Sequence, residues 1–351
     1  MNEEHNISFA SAVNEAIKLE MAYDPFVVSM GLGHNDPKRI FGTTKDLLED
    51  FGPERARDMP ISENAVTGIC VGLALRGYKP ILTHQRVDFA LLSMDQIVNS
   101  AAKWRYMFNR TEGLPIVIRM IVGRGWGQGP THSQSLQSWF AHIPGLKVVM
   151  PSNAKDAKGM LASAIQDPNP VIFLEHRWLH DVEGLVSKSR FFSKLEQTKI
   201  MGIGKHFTVV ASSLMVIEAM KARQYLTNYG VEMEVVEVAT LRPFNAQPII
   251  DSVKKTGHLL VMDNANMQGS FSSEIVSRVV ESCMHNMSSA PVRLAAVDLP
   301  FPTSFGLTNN IYSDANSIIS HINKLNEKNI PLLENDDFPH DVPGDWFKGP
   351  F

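Results

Sequence analysis

The sequence predicts an α/β protein of two doubly wound domains, a larger one followed by a smaller one, each with helices on both faces of a mostly parallel sheet. Short apolar, β-branched runs typical of buried strands alternate with longer segments of helical periodicity. This alternation loosens once, at about residues 182–202, where no long period survives. The length of 351 residues also favours two domains of ordinary size over one.

The first domain is predicted over residues 1–190. It begins with a helix at 7–22, where apolar residues recur at helical spacing, and two more helices are predicted at 61–77 and 89–108. Strands are predicted where apolar residues run together, at 26–32, 79–84, 114–122 and 146–151. Because helices and strands alternate in this order, we expect a parallel sheet covered on both faces.

The second domain is predicted over residues 203–330, with strands near 207, 231 and 258 separated by helices. The remaining tail, 331–351, is rich in proline, glycine and acidic residues and also contains aromatic residues. A segment of this composition cannot pack by itself. We expect it to lie along a neighbouring subunit, and simple fraying is the alternative.

Composition argues against several classes of protein. The net charge is −4 and the basic residues are scattered, so nucleic acid is not an expected partner. Cys70 and Cys283 lack the number and spacing of a disulfide framework or a metal site, and buried thiols are expected. No apolar run reaches the roughly 18 residues of a membrane span, and the start MNEEHNISFA has no secretory pattern. We therefore expect a soluble, cytoplasmic protein that does not associate with membranes.

Two segments are candidates for chemistry. MPISEN (59–64) delivers Glu63 to the start of a helix rich in small apolar residues, where the acid either caps the helix or hydrogen-bonds a ligand. GRGWGQGPTHSQS (123–135) is a glycine-rich loop after a central strand and carries His132. A lone histidine is commonly structural, but ligand sites in α/β proteins lie at the carboxyl ends of strands.

Four stretches together resemble the beta subunit of the decarboxylase component of 2-oxo acid dehydrogenases, the pyruvate and branched-chain type of the transketolase-like superfamily. They are RARDMPISENAVTGICVGLALRGYKPI (55–81), MDQIVNSAAKWRYMF (94–108), THSQSLQSWFAHIPGLKVVMPSNAKDAKGMLASAIQDPNPVIFLEH (131–176) and VEVATLRPFNAQPIIDSVKKTGHLLVMDN (236–264). The likeness runs in order from about residue 7 to 325.

This resemblance implies a pyrimidine-binding domain followed by a transketolase C-terminal-type domain, with thiamine diphosphate held across a subunit interface. Glu63 then matches the family's catalytic glutamate, whose carboxyl hydrogen-bonds the aminopyrimidine ring and promotes ylide formation, which is favoured by a dry site. His132 matches a histidine near the reacting carbon, where it orients the 2-oxo acid or moves a proton. Phe89 would stack on the pyrimidine, unless it is only a core residue, and Met30 and Ile61 are also assigned to cofactor binding.

The resemblance also implies metals and partners. A loop that binds potassium through backbone oxygens in several relatives matches SAIQDPNP (163–170), with a plain turn as the equal alternative. Its expected ligands are Ala164, Ile165, Asp167, Asn169 and, from the neighbouring strand, Ile116. The Gly-Asp-Gly motif that holds diphosphate and magnesium is absent from this chain. An alpha-type partner in a two-plus-two heterotetramer is therefore expected to hold them, with a lipoyl-bearing acyltransferase as a further partner.

Several positions depart from the family pattern around one pocket. They are Met30 in place of an acid, His84, Gln85 and Arg86 at the end of the second predicted strand, and Arg124, Trp126 and Gln128 in the glycine-rich loop. The main prediction is a 2-oxo acid decarboxylase subunit. The departures favour, as an alternative, an acyl- or ketol-transferring subunit that acts on a sugar acceptor. A non-catalytic paralogue that keeps the fold as a scaffold is a third hypothesis, against which the presence of Glu63 argues.

Overall fold

The computed structural model describes residues 3–109, 111, 113–123, 127–308, 311–327 and 329–334. Arg124 and Trp126, which the sequence places at the mouth of the pocket, lie outside the described residues, as does the tail from residue 335 onward. The predicted contact of that tail with a neighbouring subunit therefore stays a prediction.

The described residues form strands in two main sheets and one small sheet. The strands are β1 (Glu4–Ser8), β2 (Val27–Gly31), β3 (Ala56–Asp58), β4 (Lys79–His84), β5 (Val117–Val122), β6 (Lys147–Val149), β7 (Val171–His176), β8 (Glu183–Ser187), β9 (Thr198–Gly202), β10 (Phe207–Ala211), β11 (Met233–Val238), β12 (Thr240–Arg242), β13 (Leu259–Asn266) and β14 (Val292–Ala296).

Helices alternate with these strands. They are α1 (Phe9–Tyr23), α2 (Leu47–Phe51), α3 (Glu63–Leu75), α4 (Val87–Ala90), α5 (Trp104–Met107), α6 (Gln137–His142), α7 (Ala154–Gln166), α8 (Leu214–Thr227), α9 (Gln247–Thr256), α10 (Phe271–Cys283), α11 (Phe305–Thr308) and α12 (Ala315–Asn326).

The larger sheet has the strand order β12-β6-β7-β5-β4-β2-β3. Every neighbouring pair is parallel except β12 with β6, so the predicted parallel sheet is confirmed. Apolar side chains of α1 and α7 pack on one face, in a core that contains Ile17 and Leu161. The opposite face packs against α3, in a core that contains Val66 and Ile118. Such two-sided burial explains why the strands read as continuous apolar runs.

The smaller sheet has the order β14-β13-β10-β11-β9, parallel except for its edge strand β9. The segment 182–202, where the sequence shows no long period, contains β8 and β9. Strand β8 pairs with β1 near the amino terminus, and β9 pairs with β11. Both strands keep part-exposed residues. A strand with this mixed burial lacks the apolar pattern by which buried strands are recognised.

The long helix predicted at 89–108 is present but irregular. After α4 the chain forms a 3-10 turn at Leu91–Ser93, a π-helical segment at Asp95–Ala101 and then the short α5. The hydroxyl of Thr67 in α3 lies 2.9 Å from that of Ser93, within the irregular stretch. The spacing of apolar residues in this short segment does not distinguish an α-helix, whose backbone hydrogen bonds join each residue to the fourth along the chain, from a π-helix, whose hydrogen bonds reach the fifth. π-Helical turns of this kind recur at functional sites.

Two expectations from composition can be compared with this fold. Both thiols are buried and free, as expected for Cys70 and Cys283. Among the described residues, no helix has both the length and the apolar character needed to cross a bilayer.

Candidate active site at the carboxyl edge of the larger sheet

Four chain segments leave the larger sheet at the same edge. Helix α3 follows β3, α4 follows β4, the glycine-rich loop follows β5, and a short turn at Arg177–Leu179 follows β7. Because the strands β2 to β5 and β7 are parallel, their carboxyl ends share one edge, which is where α/β proteins bind ligands. The predicted site residues therefore come from neighbouring segments of one edge.

Glu63 is the first residue of α3 and only 6% of it is exposed. The preceding residue, Ser62, makes no side-chain cap, and the carbonyl of Glu63 accepts a hydrogen bond of 2.7 Å from the Thr67 hydroxyl. The side chain is thus sheltered from bulk water, as a carboxyl that hydrogen-bonds a bound ring requires. Its catalytic role stays a prediction.

Phe89 and His132 are brought together by the fold. Their rings meet edge to face, with centroids 5.3 Å apart and an interplanar angle of 90°. Both side chains are half-buried, and His132 Nδ1 lies 2.9 Å from the Thr131 hydroxyl. The two residues that the sequence assigns to cofactor stacking and to substrate contact are therefore in direct contact at this edge of the sheet.

Met30 and Ile61 lie in contrasting surroundings. Met30 is 9% exposed within β2, and its sulfur lies 3.8 Å from the sulfur of Cys70, which belongs to α3. Ile61 is 81% exposed in the loop before α3. The two side chains therefore do not form one buried surface in the isolated chain, and their contact with a cofactor stays a prediction.

The second domain holds the loop that carries His132. Asn264 Nδ2 donates to the Ser135 hydroxyl at 3.0 Å, and Gln137 Nε2 donates to Asp263 Oδ1 at 2.7 Å. Burial raises the pKa of Asp263, although several hydrogen bonds act in the opposite direction. Sequence analysis missed these two residues, since only the packing of two domains brings β13 to the loop.

The glycine-rich loop begins with a close approach to β7. Gly123 has φ of 84°, and a Cβ there would lie 2.0 Å from His176 Nε2. Glycine is therefore required for both the backbone conformation and the space. This contact fixes the start of the loop against the neighbouring strand.

Two of the positions that depart from the family pattern meet beside this loop. Arg86 Nη1 donates to the Gly123 carbonyl at 3.3 Å, and Nη2 contacts the side-chain oxygen of Gln128. Arg177, which sequence analysis missed, is 1% exposed, and its guanidinium carbon lies 4.5 Å from the centre of the Phe41 ring. Its signal in the sequence is a basic residue directly after a buried strand, in EHRWLH.

Gln85 and His84, which also depart from the family pattern, directly precede Arg86 in the chain. Gln85 Nε2 donates to the Leu32 carbonyl at 2.9 Å. His84 is buried, its Nε2 has no hydrogen-bond partner among the described residues, and burial lowers its pKa to about 4. His84 is therefore neutral at physiological pH and adds no charge to the site.

A second polar cluster lies inside the sheet. Arg119 and Glu175 form a double hydrogen-bonded ion pair at 2.7 and 3.0 Å, and His180 Nε2 lies 3.1 Å from Glu175. Burial acts to raise the pKa of Glu175, but the charge of Arg119 and the hydrogen bonds outweigh it and lower this pKa to about 2. Sequence analysis missed this cluster, although a charge inside the apolar run LPIVIRMIV marks it.

The loop predicted to bind potassium has its polar groups engaged by the chain itself. Asp167 Oδ2 is paired with Lys147 Nζ, and Asn169 Oδ1 accepts from Arg105 Nη1 at 3.0 Å. The carbonyl of Ala164 accepts from the amide of Asp167 at 3.2 Å.

The neighbouring strand is engaged as well, since the carbonyl of Ile116 accepts from the amide of Val171 at 2.9 Å. Ile165 continues α7 up to this loop. These contacts engage the side chains of Asp167 and Asn169, and each carbonyl that accepts one hydrogen bond keeps a second lone pair. Ligation of potassium by the backbone oxygens of this loop therefore stays a prediction, and no step of the chemistry is assigned to the ion.

Comparisons with known proteins agree with this fold. The model of the transketolase pyrimidine-binding domain matches residues 5–181, and that of the transketolase C-terminal domain matches residues 196–318. The first matched region contains all strands of the larger sheet except β12, and the second contains β12 and the strands of the smaller sheet.

Similar curated proteins cover most of the chain. A pyruvate dehydrogenase E1 component subunit beta-1 from Arabidopsis thaliana is 38% identical over 84% of this chain and 83% of its own length. A 2-oxoisovalerate dehydrogenase subunit beta from Bacillus subtilis is 35% identical over 84% and 90%. An acetoin:2,6-dichlorophenolindophenol oxidoreductase subunit beta from Cupriavidus necator is 37% identical over 85% and 91%.

Among solved structures, a split-gene transketolase in an inactive beta4 tetramer has a TM-score of 0.71. The match covers 91% of this chain and 97% of that one at 20% identity. At this identity the likeness shows the shared fold alone.

Proposed function

Because this chain belongs to the family of E1 beta subunits of 2-oxo acid dehydrogenases, we propose that it is the beta subunit of a thiamine-diphosphate-dependent enzyme that decarboxylates a 2-oxo acid. The observation that carries the proposal is the sheltered carboxyl of Glu63, which starts α3 at the same sheet edge as the paired rings of Phe89 and His132. The product is an acyl or hydroxyalkyl unit that passes to an acceptor.

The described residues fit the pyrimidine half of thiamine diphosphate. This cofactor supplies an electron sink for the carbanion that decarboxylation produces. Glu63 would exchange a proton with the pyrimidine ring nitrogen, and its burial favours a strong hydrogen bond there. Phe89 would set the angle of the ring by aromatic contact, and His132 would orient the 2-oxo acid.

The diphosphate half needs another polypeptide. The Gly-Asp-Gly motif does not occur in the sequence, so we assign the diphosphate and its magnesium ion to an alpha-type subunit. A two-plus-two heterotetramer is the assembly that we propose, with a lipoyl-bearing acyltransferase as the acceptor of the acyl group. A cytoplasmic location is part of the same proposal, and fractionation of the source cells tests it.

The sugar-transferring alternative receives less support. Relatives that cover most of the chain at 35–38% identity are named as subunits of pyruvate, branched-chain and acetoin enzymes. The similarity to the split-gene transketolase, at 20% identity, supports only a shared fold. We therefore retain the dehydrogenase subunit as the proposed function.

Co-expression and co-purification with an alpha-type subunit from the same source test the proposal. We expect the assembled enzyme to bind thiamine diphosphate and to release carbon dioxide from a 2-oxo acid, with a lipoyl domain or an artificial oxidant as acceptor. The isolated chain should do neither. Absence of cofactor binding in the assembled pair would support the scaffold hypothesis instead, and sugar-dependent turnover without an oxidant would support the transferase.

A further inference from the structure

Arg86 is a buried cation whose hydrogen-bond partners are neutral. Only 2% of it is exposed, and its guanidinium contacts the carbonyl of Gly123 and the amide oxygen of Gln128. Within the described ranges, no carboxylate lies at ion-pair distance from it. Burying a guanidinium without a counter-charge is costly, so an anion is the chemistry that this position favours.

The guanidinium of Arg177 adds a second positive charge near Arg86. The ring of Phe41 lies close to both arginines, with its centre 4.5 Å from the guanidinium carbon of Arg177 and 5.9 Å from that of Arg86. Burial, and then the charge of Arg177, lower the pKa of Arg86 to about 10, and Asp88 acts in the opposite direction. Arg86 still carries its proton at neutral pH.

The nearby acids do not form an ion pair with Arg86. Asp88 Oδ1 accepts from Gln134 Nε2 at 2.7 Å, which directs this carboxylate to the glycine-rich loop. Burial lowers the pKa of Arg177 to about 10, although the negative charge of Asp181 acts to raise it. The charge of Arg86 is therefore available to a bound anion.

Arg86 lies beside the residues that are proposed to contact the cofactor and the 2-oxo acid. Its carbonyl accepts from the amide of Phe89 at 3.2 Å, and Gln128 belongs to the same loop as His132. Gln128 is partly exposed and follows Gly127, whose φ is 64°. The Arg86 N–H group that now donates to the amide oxygen of Gln128 can thus donate to the oxygen of a bound anion instead.

We propose that Arg86, supported by Arg177, binds a second anionic group of the 2-oxo acid, at the end of the substrate away from the carboxylate that leaves. The substrate class is then 2-oxo acids that bear a distal carboxylate or phosphate. This inference rests on the proposed function, because it takes a 2-oxo acid as the donor.

The leaving carboxylate is a poor ligand for this arginine. Its negative charge disperses as carbon dioxide forms, so a buried guanidinium would stabilise the ground state more than the transition state and slow the reaction. A distal anion keeps its charge throughout. Arg86 can therefore bind such a group equally in both states, which tightens substrate binding without raising the barrier.

Matched substrate pairs test this inference in the assembled enzyme. 2-Oxoglutarate with 2-oxopentanoate, and 2-oxoadipate with 2-oxohexanoate, differ only in a terminal carboxylate or methyl group, and phosphonopyruvate tests the phosphate-like case. For the anionic donor that fits, we expect kcat/KM to exceed that of its neutral counterpart on the order of 100-fold. Arg86→Gln should remove this preference mainly through KM, and Arg86→Lys should keep part of it.

Arg278→Gln is the matched control, since it removes the same charge from an exposed pair with Glu274 in the second domain. It should leave the preference unchanged. A non-reacting dicarboxylate such as glutarate should also raise the unfolding temperature of the wild-type assembly and not that of Arg86→Gln.

Equal use of charged and neutral donors by the wild type would overturn the inference, although carbon dioxide release would still support the proposed function. Weaker assembly of Arg86→Gln with the alpha-type subunit, together with an unchanged preference in the enzyme that still assembles, would assign Arg86 to a carboxylate of that subunit and would likewise overturn the inference. Failure to decarboxylate any 2-oxo acid would overturn both proposals.

Discussion

The rings of Phe89 and His132 meet at a right angle, with their centroids 5.3 Å apart. One residue follows β4 and the other belongs to the loop after β5, so this contact joins two segments of the carboxyl edge. A change in either ring should disturb the other. Phe89 is therefore a suitable position at which to test whether this edge of the sheet holds the cofactor.

We expect Phe89→Leu to weaken thiamine diphosphate binding by the assembled enzyme up to about tenfold, because an aromatic contact is worth roughly 0.5–1.5 kcal/mol. Titration of the assembled enzyme with the cofactor measures this change. Phe26→Leu is the control, since Phe26 makes a similar edge contact with Tyr78 before β2, at the opposite edge. Equal cofactor affinity in wild type and Phe89→Leu would exclude Phe89 from the site.

Glu63→Gln should fold normally and lose several orders of magnitude in turnover, because the amide cannot exchange a proton with the pyrimidine ring. Carbon dioxide release by the assembled enzyme measures turnover, and the unfolding temperature reports on folding. Glu54→Gln provides a control on the surface, where 85% of the side chain is exposed. Full turnover in Glu63→Gln would refute the assigned role.

Glu175→Gln should destabilise the first domain by about 3–5 kcal/mol, because it leaves Arg119 charged and buried without its partner. The unfolding free energy from a denaturant titration at neutral pH measures this loss. Glu274→Gln, in an exposed pair, should change it by less than about 1 kcal/mol. A loss as small as that of the control would show that the buried pair contributes little.

The same pair predicts a dependence on acid. The folded-state pKa of Glu175 is about 2, below its ordinary value of 4.5. Its contribution to stability is therefore complete above about pH 4.5 and is lost as the pH falls towards 2. Unfolding temperatures recorded over this range should fall more steeply for the wild type than for Glu175→Gln, and parallel profiles would contradict the assignment.

The potassium site predicted at Asp167 would consist of backbone oxygens, because Lys147 is paired with the carboxylate of that residue. If these oxygens bind the ion, the unfolding temperature of the wild type should be higher in potassium chloride than in choline chloride at the same ionic strength. Lys147→Met should be destabilised by roughly 1–3 kcal/mol, and Lys205→Met, which removes an exposed pair with Glu232, is its control. Equal unfolding temperatures of the wild type in the two salts would leave a plain turn.

Much of the larger sheet could be predicted from local patterns. Runs such as LPIVIRMIV need burial on both faces, and their alternation with helices allows few arrangements other than a parallel sheet. The same order places Glu63, Phe89 and His132 at one edge. Patterns failed at 89–108 and at 182–202, where irregular turns and part-exposed edge strands leave no clear period.

The sequence by itself determined the family and the sheet edge that carries the candidate site. Only the tertiary structure decided which charges meet: Arg119 with Glu175 across two strands, Lys147 with Asp167, and Arg86 beside Arg177 with Phe41 close to both. The physical reason is that such contacts depend on strand order and register. These are set by packing of the whole chain, and local residue spacing contains no record of them.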